Sequence, residues 1–178
     1  MIDPVRELKI RAELLHKDVA AGDDVATARL RALPELRRAS AEDLAAFGAR
    51  IQRKHCLAVV AHEVGFRGWE HASRVLEGEE SEPDHGELLY PKGTGAFLNH
   101  WCSTYEYARA VHAERGGYLL PYRKQFFVAG RDYVEATLGV DPDDSDWGAL
   151  GFDLARPREP EVRRRLYGKI LAKTRAAA

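Results

Sequence analysis

The fold of this 178-residue chain is decided by residues 97–128, which read FLNHWCSTYEYARAVHAERGGYLLPYRKQFFV. In the first part, from Ala96 to Arg115, apolar residues recur three and four positions apart, and this spacing predicts a helix. Gly116 and Gly117 should end that helix. The apolar runs 118–120 and 125–128 then predict a β-hairpin around a proline-containing turn. We therefore expect a helix packed on a hairpin, with the rest of the chain arranged around it.

The residues before this block predict a series of helices. Positions 4–21 carry apolar residues at helical spacing, with Asp3 placed to cap the helix and Pro4 suited to its first position. Ser40 and Asp43 have the spacing of a capping box at the start of a third helix. Further helices are expected at residues 132–138 and after Pro160. The expected fold class is mainly α, with a short β-hairpin in the C-terminal half (α+β).

Residues 77–87 contain six acidic residues and no Lys or Arg, together with Gly and Pro. This composition is typical of a solvated spacer. We therefore expect two small parts joined by an acidic linker: a helical module at residues 1–76, the linker at 77–89, and a helix–hairpin–helix domain at 90–178.

The run Leu57-Ala-Val-Val-Ala-His-Glu-Val-Gly-Phe-Arg-Gly-Trp69 ends in a Gly-Phe-x-x-Trp signature. It resembles the small helical module found in many bacterial proteins beside glyoxalase-superfamily or ankyrin-repeat segments. Residues 97–128 and the run Asp141-Pro-Asp-Asp-x-Asp-Trp147 resemble a group of uncharacterised bacterial proteins. Neither resemblance implies a catalytic residue, and residues 77–178 leave no room for the paired metal-binding units of a glyoxalase.

The overall composition excludes some function classes. A formal net charge of −1 gives no general attraction to nucleic acid or to an anionic membrane. The sequence lacks both a signal-peptide pattern and an apolar run long enough to cross a membrane, so we expect a cytoplasmic protein. Cys56 and Cys102 are then expected to be two buried thiols.

The helix and hairpin of residues 97–128 predict a cleft with aromatic walls and a few polar groups, the usual composition of a small-molecule pocket. Alternatively, these aromatic residues form only the core of a small domain. The candidate ligand-binding residues are His100, Trp101, Tyr105, His112, Tyr118, Tyr122, Arg123 and Gln125.

The last helix carries many cations and predicts a second possible surface. Eight Arg or Lys residues between Arg156 and Arg175 oppose only Glu159 and Glu161. Nucleic-acid phosphates could contact Arg163, Arg164 and Lys169. A solvated helix face is favoured over this interpretation because the whole chain is nearly neutral.

The sequence predicts no metal site and specifies no cofactor. His62, Glu63, Glu70 and His71 lack the H-E-x-x-H spacing because Gly65 and a turn lie between the pairs. The aspartates of residues 141–146 start like a calcium loop, but Asp146 stands where that loop needs glycine.

Three functions remain open on this basis. The preferred hypothesis is a non-enzymatic protein that binds a small molecule or a protein partner through residues 90–178. The alternatives are an enzyme of unknown reaction with a pocket at the helix–hairpin junction, and a nucleic-acid accessory protein that uses the basic C-terminal helix.

Overall fold

The computed structural model describes residues 3–79 and 83–176 and consists mainly of helices, with one small sheet in the C-terminal half. The first five helices are α1 (Pro4–Ala20), α2 (Asp24–Arg29), α3 (Ala41–Gly48), α4 (Arg53–Glu63) and α5 (Trp69–Glu77). Two 3-10 turns, Leu30–Ala32 and Pro34–Leu36, follow α2. The second half contains β1 (His100–Cys102), α6 (Tyr105–Arg115), β2 (Tyr118–Tyr122), β3 (Gln125–Ala129), α7 (Arg131–Tyr133), a π-helical turn (Val134–Leu138), α8 (Ser145–Leu150) and α9 (Pro160–Ala176). The predicted fold class is confirmed.

Helix α1 shows how local sequence sets the first half of the fold. Asp3 accepts a hydrogen bond from the Arg6 N–H at 2.7 Å, and Pro4 occupies the first turn. The predicted apolar stripe is buried: Val5, Leu8, Ala12, Leu15 and Val19. This stripe packs on α4, and α9 packs on α1 as well. The first helix of the chain thus contacts the last.

The predicted capping box is confirmed, and a glycine ends the next helix. At α3, the Ser40 hydroxyl accepts from the Asp43 N–H and the Asp43 carboxylate accepts from the Ser40 N–H, which completes the capping box. After α4, Gly65 adopts a left-handed backbone with φ of 90°, and the Phe66 N–H donates to the Ala61 carbonyl at 2.9 Å. Phe66 is buried, so the Gly-Phe pair turns the chain from α4 towards α5.

The sheet has the strand order β1-β3-β2 and is antiparallel throughout. The predicted hairpin is confirmed as β2 and β3, but the expected proline-containing turn is wrong. Pro121 lies inside β2 opposite Phe126, on an edge strand where its missing N–H is tolerated. The turn is formed by Arg123 and Lys124, and Arg123 has a positive φ of 48°.

The helix predicted from Ala96 to Arg115 begins only at Tyr105. Thr104 is the N-cap, and its hydroxyl accepts from the Tyr107 N–H at 3.3 Å. The residues before it form strand β1, which places Trp101 opposite Phe127 and Cys102 opposite Phe126. His100 and Trp101 were therefore wrongly placed on a helix. Pairing with β3 outweighs the helical spacing of their neighbours.

Residues 83–89 are packed, whereas the sequence predicted a solvated spacer. The Glu87 N–H donates to the Gly65 carbonyl at 2.9 Å, and the His85 N–H donates to the Arg123 carbonyl at 2.8 Å. Leu88 and Leu89 are buried. Residues 80–82 of the predicted linker lie outside the described residues. One hydrophobic core contains side chains from α1, α4, β2, β3 and α9, while the division into two parts remains a prediction.

His71 shows how the packed segment is attached to α5. Its ring is buried, accepts a hydrogen bond from the Arg67 N–H at 3.0 Å and donates one to the Asp84 carbonyl at 2.7 Å. The side chain satisfies backbone groups at the point where residues 83–89 meet the end of the helical half.

Candidate functional site

The predicted cleft between α6 and the hairpin is not formed, because buried side chains fill that space. Helix α6 covers the sheet face that carries Cys102, Leu119 and Val128, and it packs Ala108 and Val111 against them. Burial raises the pKa of the Cys102 thiol. These buried side chains occupy the space between α6 and the strands.

The sheet divides the eight predicted ligand-binding residues into groups that do not converge. His100, Tyr105 and His112 lie on the α6 side, where His100 Nε2 is 3.4 Å from the Tyr107 hydroxyl and His112 Nε2 is 3.1 Å from the Gly117 carbonyl oxygen. Side chains that alternate along the strands put Trp101, Tyr118 and Tyr122 on the opposite face.

Trp101 and Tyr122 belong to an aromatic cluster with Tyr90 and Phe127. The Trp101 ring is 4.9 Å from both Tyr90 and Phe127, and 5.5 Å from Tyr122, measured between ring centroids. Trp101 remains 38% exposed. Because β1 is an edge strand, Trp101 lies at the rim of the core.

The remaining three predicted residues have structural or surface positions. The buried Tyr118 hydroxyl donates to the Pro142 carbonyl at 2.8 Å, and burial raises the pKa of Tyr118. Arg123 is exposed and donates from Nε to Glu87 at 2.9 Å, and that hydrogen bond raises its pKa. Gln125 is exposed at the hairpin turn. These positions give no shared binding surface.

The basic face of α9 is largely neutralised by acidic residues of the same chain. Arg164 donates to Asp3 at 2.6 Å, and Arg165 donates from Nε to the Asp146 carboxylate at 3.0 Å. Lys169 reaches Asp146 at 2.8 Å. Hydrogen bonds from Arg165 and then Lys169 lower the pKa of the buried Asp146 to about 2.

Asp143 and Asp144, from the same aspartate run, also hold cations. Asp143 pairs with Arg131 at 2.6 Å, and Asp144 accepts from Lys169 at 2.5 Å. Within residues 3–79 and 83–176, no group of three His, Cys, Asp or Glu side chains could hold a metal ion. The run Asp143 to Asp146 therefore anchors α7 and α9.

A cavity of about 680 Å³ lies where the end of α5, residues 83–85, β3 and the start of α9 meet. Small-molecule sites are typically roughly 300–1,000 Å³ in volume. Its lining is mixed: apolar contacts come from Phe126, Ala155 and three prolines, and polar groups come from Glu79, His85, Arg156 and Arg163. Two guanidinium groups beside apolar side chains favour a ligand that has an anionic end and an apolar body.

Arg163 is the most unusual residue of this cavity. Arg163 is only 8% exposed, and its Nε atom is buried without a hydrogen-bond partner. Within the described residues, its guanidinium forms neither a salt bridge nor a hydrogen bond. The Tyr167 ring makes a cation–π contact with this guanidinium, with the ring centre 5.4 Å from the guanidinium carbon. Buried charges are normally paired, so this arginine lacks an anion.

Arg156 supplies the second guanidinium of the cavity, and neighbouring residues fix its position. Its guanidinium carbon lies 4.1 Å from the centre of the Tyr105 ring. Tyr105 donates to Asp153 at 2.6 Å, and burial followed by this hydrogen bond raises the pKa of Tyr105 to about 12. Asp153 also accepts the Ala155 and Arg156 N–H groups at 2.9 Å each. The loop that carries Arg156 is therefore preorganised.

A second cavity, of about 650 Å³, lies among α1, α2 and α3. Alanine and glycine dominate its walls, and Val19 and Leu44 are among the buried residues that line it. None of its lining residues carries a buried polar side-chain atom without a partner, in the part of the chain described. This cavity is a gap between packed helices, and its described residues offer a ligand no buried polar atom that lacks a partner. The cavity at Arg163 is therefore the better candidate.

This site was not predicted because Arg163 and Arg164 look alike as neighbouring cations in the sequence. Arg163, Tyr167 and Leu171 are spaced four residues apart and form one buried stripe of α9. This four-residue spacing was the sequence signal that could have identified Arg163 as a buried residue. The contributions of Phe126 and Arg156 could not be seen locally, because the chain brings them to α9 from β3 and from the loop after α8.

No helix in the described ranges is long and apolar enough to cross a membrane. The chain matches no protein-family model, no curated protein and no solved structure.

Proposed function

We propose that this protein binds a small anionic ligand, without transforming it, in the cavity between α5, β3 and α9. The observation that carries the proposal is Arg163 at that cavity, a buried residue whose Nε lacks a hydrogen-bond partner and whose guanidinium has no acidic partner among the described residues. An anion bound beside it would supply the hydrogen bonds and the opposite charge that the described residues do not provide. The proposed compartment is the cytoplasm, which suits two free cysteines.

The two alternatives receive less support from the same contacts. An enzyme at the helix–hairpin junction would need space that Ala108, Val111 and Leu119 occupy. Nucleic-acid binding along α9 would need free cations, whereas Arg164 and Lys169 are bound to acidic residues. We therefore propose neither.

A thermal-shift titration tests the proposed function. Wild-type protein is heated with acetate, benzoate, sulfate or phosphate at constant ionic strength. A ligand present at about 100 times its Kd should stabilise the native state by about 2.7 kcal/mol. For a chain of this length, such a gain raises the Tm by roughly 5–10 °C.

Arg163→Met is the variant that isolates the site, because methionine keeps much of the apolar stem and removes the charge. The variant should lose the anion-dependent rise in Tm. Arg38→Met is the matched control: Arg38 is exposed, far along the chain, and the variant should retain the rise. An equal rise in wild type and Arg163→Met would refute the proposed function.

A further inference from the structure

We infer that the ligand is a monocarboxylate with a flat apolar body, such as an aromatic carboxylic acid. This inference rests on the proposed anion-binding function and specifies the ligand class. Three properties of the cavity carry it: the number of unbalanced charges, the apolar walls and the rigidity of the loop that carries Arg156.

The charge of the site fits a single negative charge. Arg156 faces Glu106 at 3.9 Å on its outer side, and Glu79 also lines the cavity. Of the two arginines that line the cavity, Arg163 therefore has no acidic side chain among the described residues to balance its charge. A carboxylate would neutralise it and could accept two parallel hydrogen bonds from the guanidinium. A phosphate dianion would bring two negative charges to this single guanidinium.

The walls opposite the cations fit an apolar group. Phe126 is half-buried, and its ring lies 5.8 Å from Tyr105 and 5.9 Å from His85 between centroids. Ala155 and Pro157 continue this surface. Ring faces of this kind favour stacked or edge-on contacts with a planar ligand. Acetate would leave most of the 680 Å³ unfilled.

The rigidity of the wall favours a flat ligand over a flexible one. Asp153 fixes the loop through the Tyr105 hydroxyl and two backbone N–H groups. The Leu119 N–H donates to the Phe152 carbonyl, and the Leu154 N–H donates to the Leu119 carbonyl, each at 2.9 Å. The loop is thus attached to β2 on both sides of Asp153. A site with fixed walls binds best a ligand whose shape is also fixed.

Isothermal titration calorimetry on the full-length protein tests the ligand class. The probes are acetate, benzoate, 2-naphthoate, the neutral 2-naphthamide, inorganic phosphate and phenyl phosphate. If the naphthyl ring buries about 100 Å² of apolar surface, 2-naphthoate should bind about 50-fold more tightly than acetate. The amide should bind at least about 10-fold more weakly than 2-naphthoate, because it leaves Arg163 without an anion.

Two variants connect the result to the cavity. Phe126→Leu keeps an apolar side chain, and it should weaken 2-naphthoate binding several-fold while acetate binding changes little. Arg163→Met should reduce the affinity for both carboxylates. Tighter binding of phosphate and phenyl phosphate than of the carboxylates would overturn the inferred ligand class but keep the anion site. Equal affinities for acetate and 2-naphthoate would also overturn it. If none of the anions binds, the proposed function fails, and the inference fails with it.

Discussion

Replacing Asp146 by asparagine should destabilise the protein by about 2 kcal/mol at pH 7. Asp146 is 3% exposed and accepts hydrogen bonds from Arg165 and Lys169, which lower its pKa from 3.8 to about 2. Each unit of pKa shift corresponds to about 1.4 kcal/mol between the two protonation states, which gives the stated value. Breaking a fully buried ion pair costs about 3–5 kcal/mol. Here the cost is smaller because the Arg165 and Lys169 side chains are 34% and 39% exposed and can return to water.

The pH dependence of this loss follows from the lowered pKa. The pKa of Asp146 is about 2 in the native protein, below the ordinary aspartate pKa of 3.8 that applies to the unfolded chain. Its contribution to stability is therefore complete well above pH 4 and is lost as the pH falls towards 2. The difference in unfolding free energy between wild type and Asp146→Asn should shrink from about 2 kcal/mol at pH 7 to about 1 kcal/mol at pH 3.

Urea-induced unfolding, followed by tryptophan fluorescence at both pH values, measures this difference. Asp143→Asn is the matched control in the same loop: Asp143 pairs with Arg131, but both side chains are exposed, so its removal should change the midpoint little. A loss at pH 7 as small as that of the control, or a loss that does not shrink at pH 3, would refute the role assigned to Asp146.

Two further comparisons test the packing by the same unfolding assay. Gly86→Ala should be about 1–3 kcal/mol more destabilising than Gly22→Ala: both glycines have positive φ, but only a Cβ at position 86 would lie 2.5 Å from the Phe66 ring. Similar losses in the two variants would contradict this contact. Trp147→Ala should cost about 3–5 kcal/mol because Trp147 is fully buried, whereas Trp101→Ala should cost clearly less because its ring is 38% exposed. The reverse order would show that Trp101 contributes more to the core than its exposure indicates.

Features that depend on neighbouring residues could be predicted from the sequence. The buried stripe of α1 and the capping box of Ser40 and Asp43 each depend on residues three or four positions apart, and both were predicted correctly. The left-handed backbone of Gly65 and the burial of Phe66 also depend on neighbouring residues. The resemblance of this region to a bacterial helical module remains a prediction.

Features that depend on distant pairing could not be predicted. Strand β1 has only three residues, and its neighbours fit helical spacing, so its pairing with residues 126–128 decides its structure. The eight ligand-binding candidates were grouped because they are close in sequence. A strand alternates its side chains between two faces, which separated Trp101 from His100. The cavity instead joins residues from α5, β3 and α9, whose proximity depends on the packing of both halves.

The three consecutive arginines of α9 show why a basic helix is not by itself a binding surface. Arg164 and Arg165 point to acidic residues at the start of the chain and before α9, so their charges stabilise the docking of α9 on the rest of the fold. Arg163 lies between the buried Tyr167 and the cavity, and the described chain supplies no anion for it. Internal pairing removes most of the field that nucleic acid would need. Of the three consecutive arginines, Arg163 is the one without an acidic partner among the described residues, and it lines a cavity that a small anion fits better than an extended polyanion.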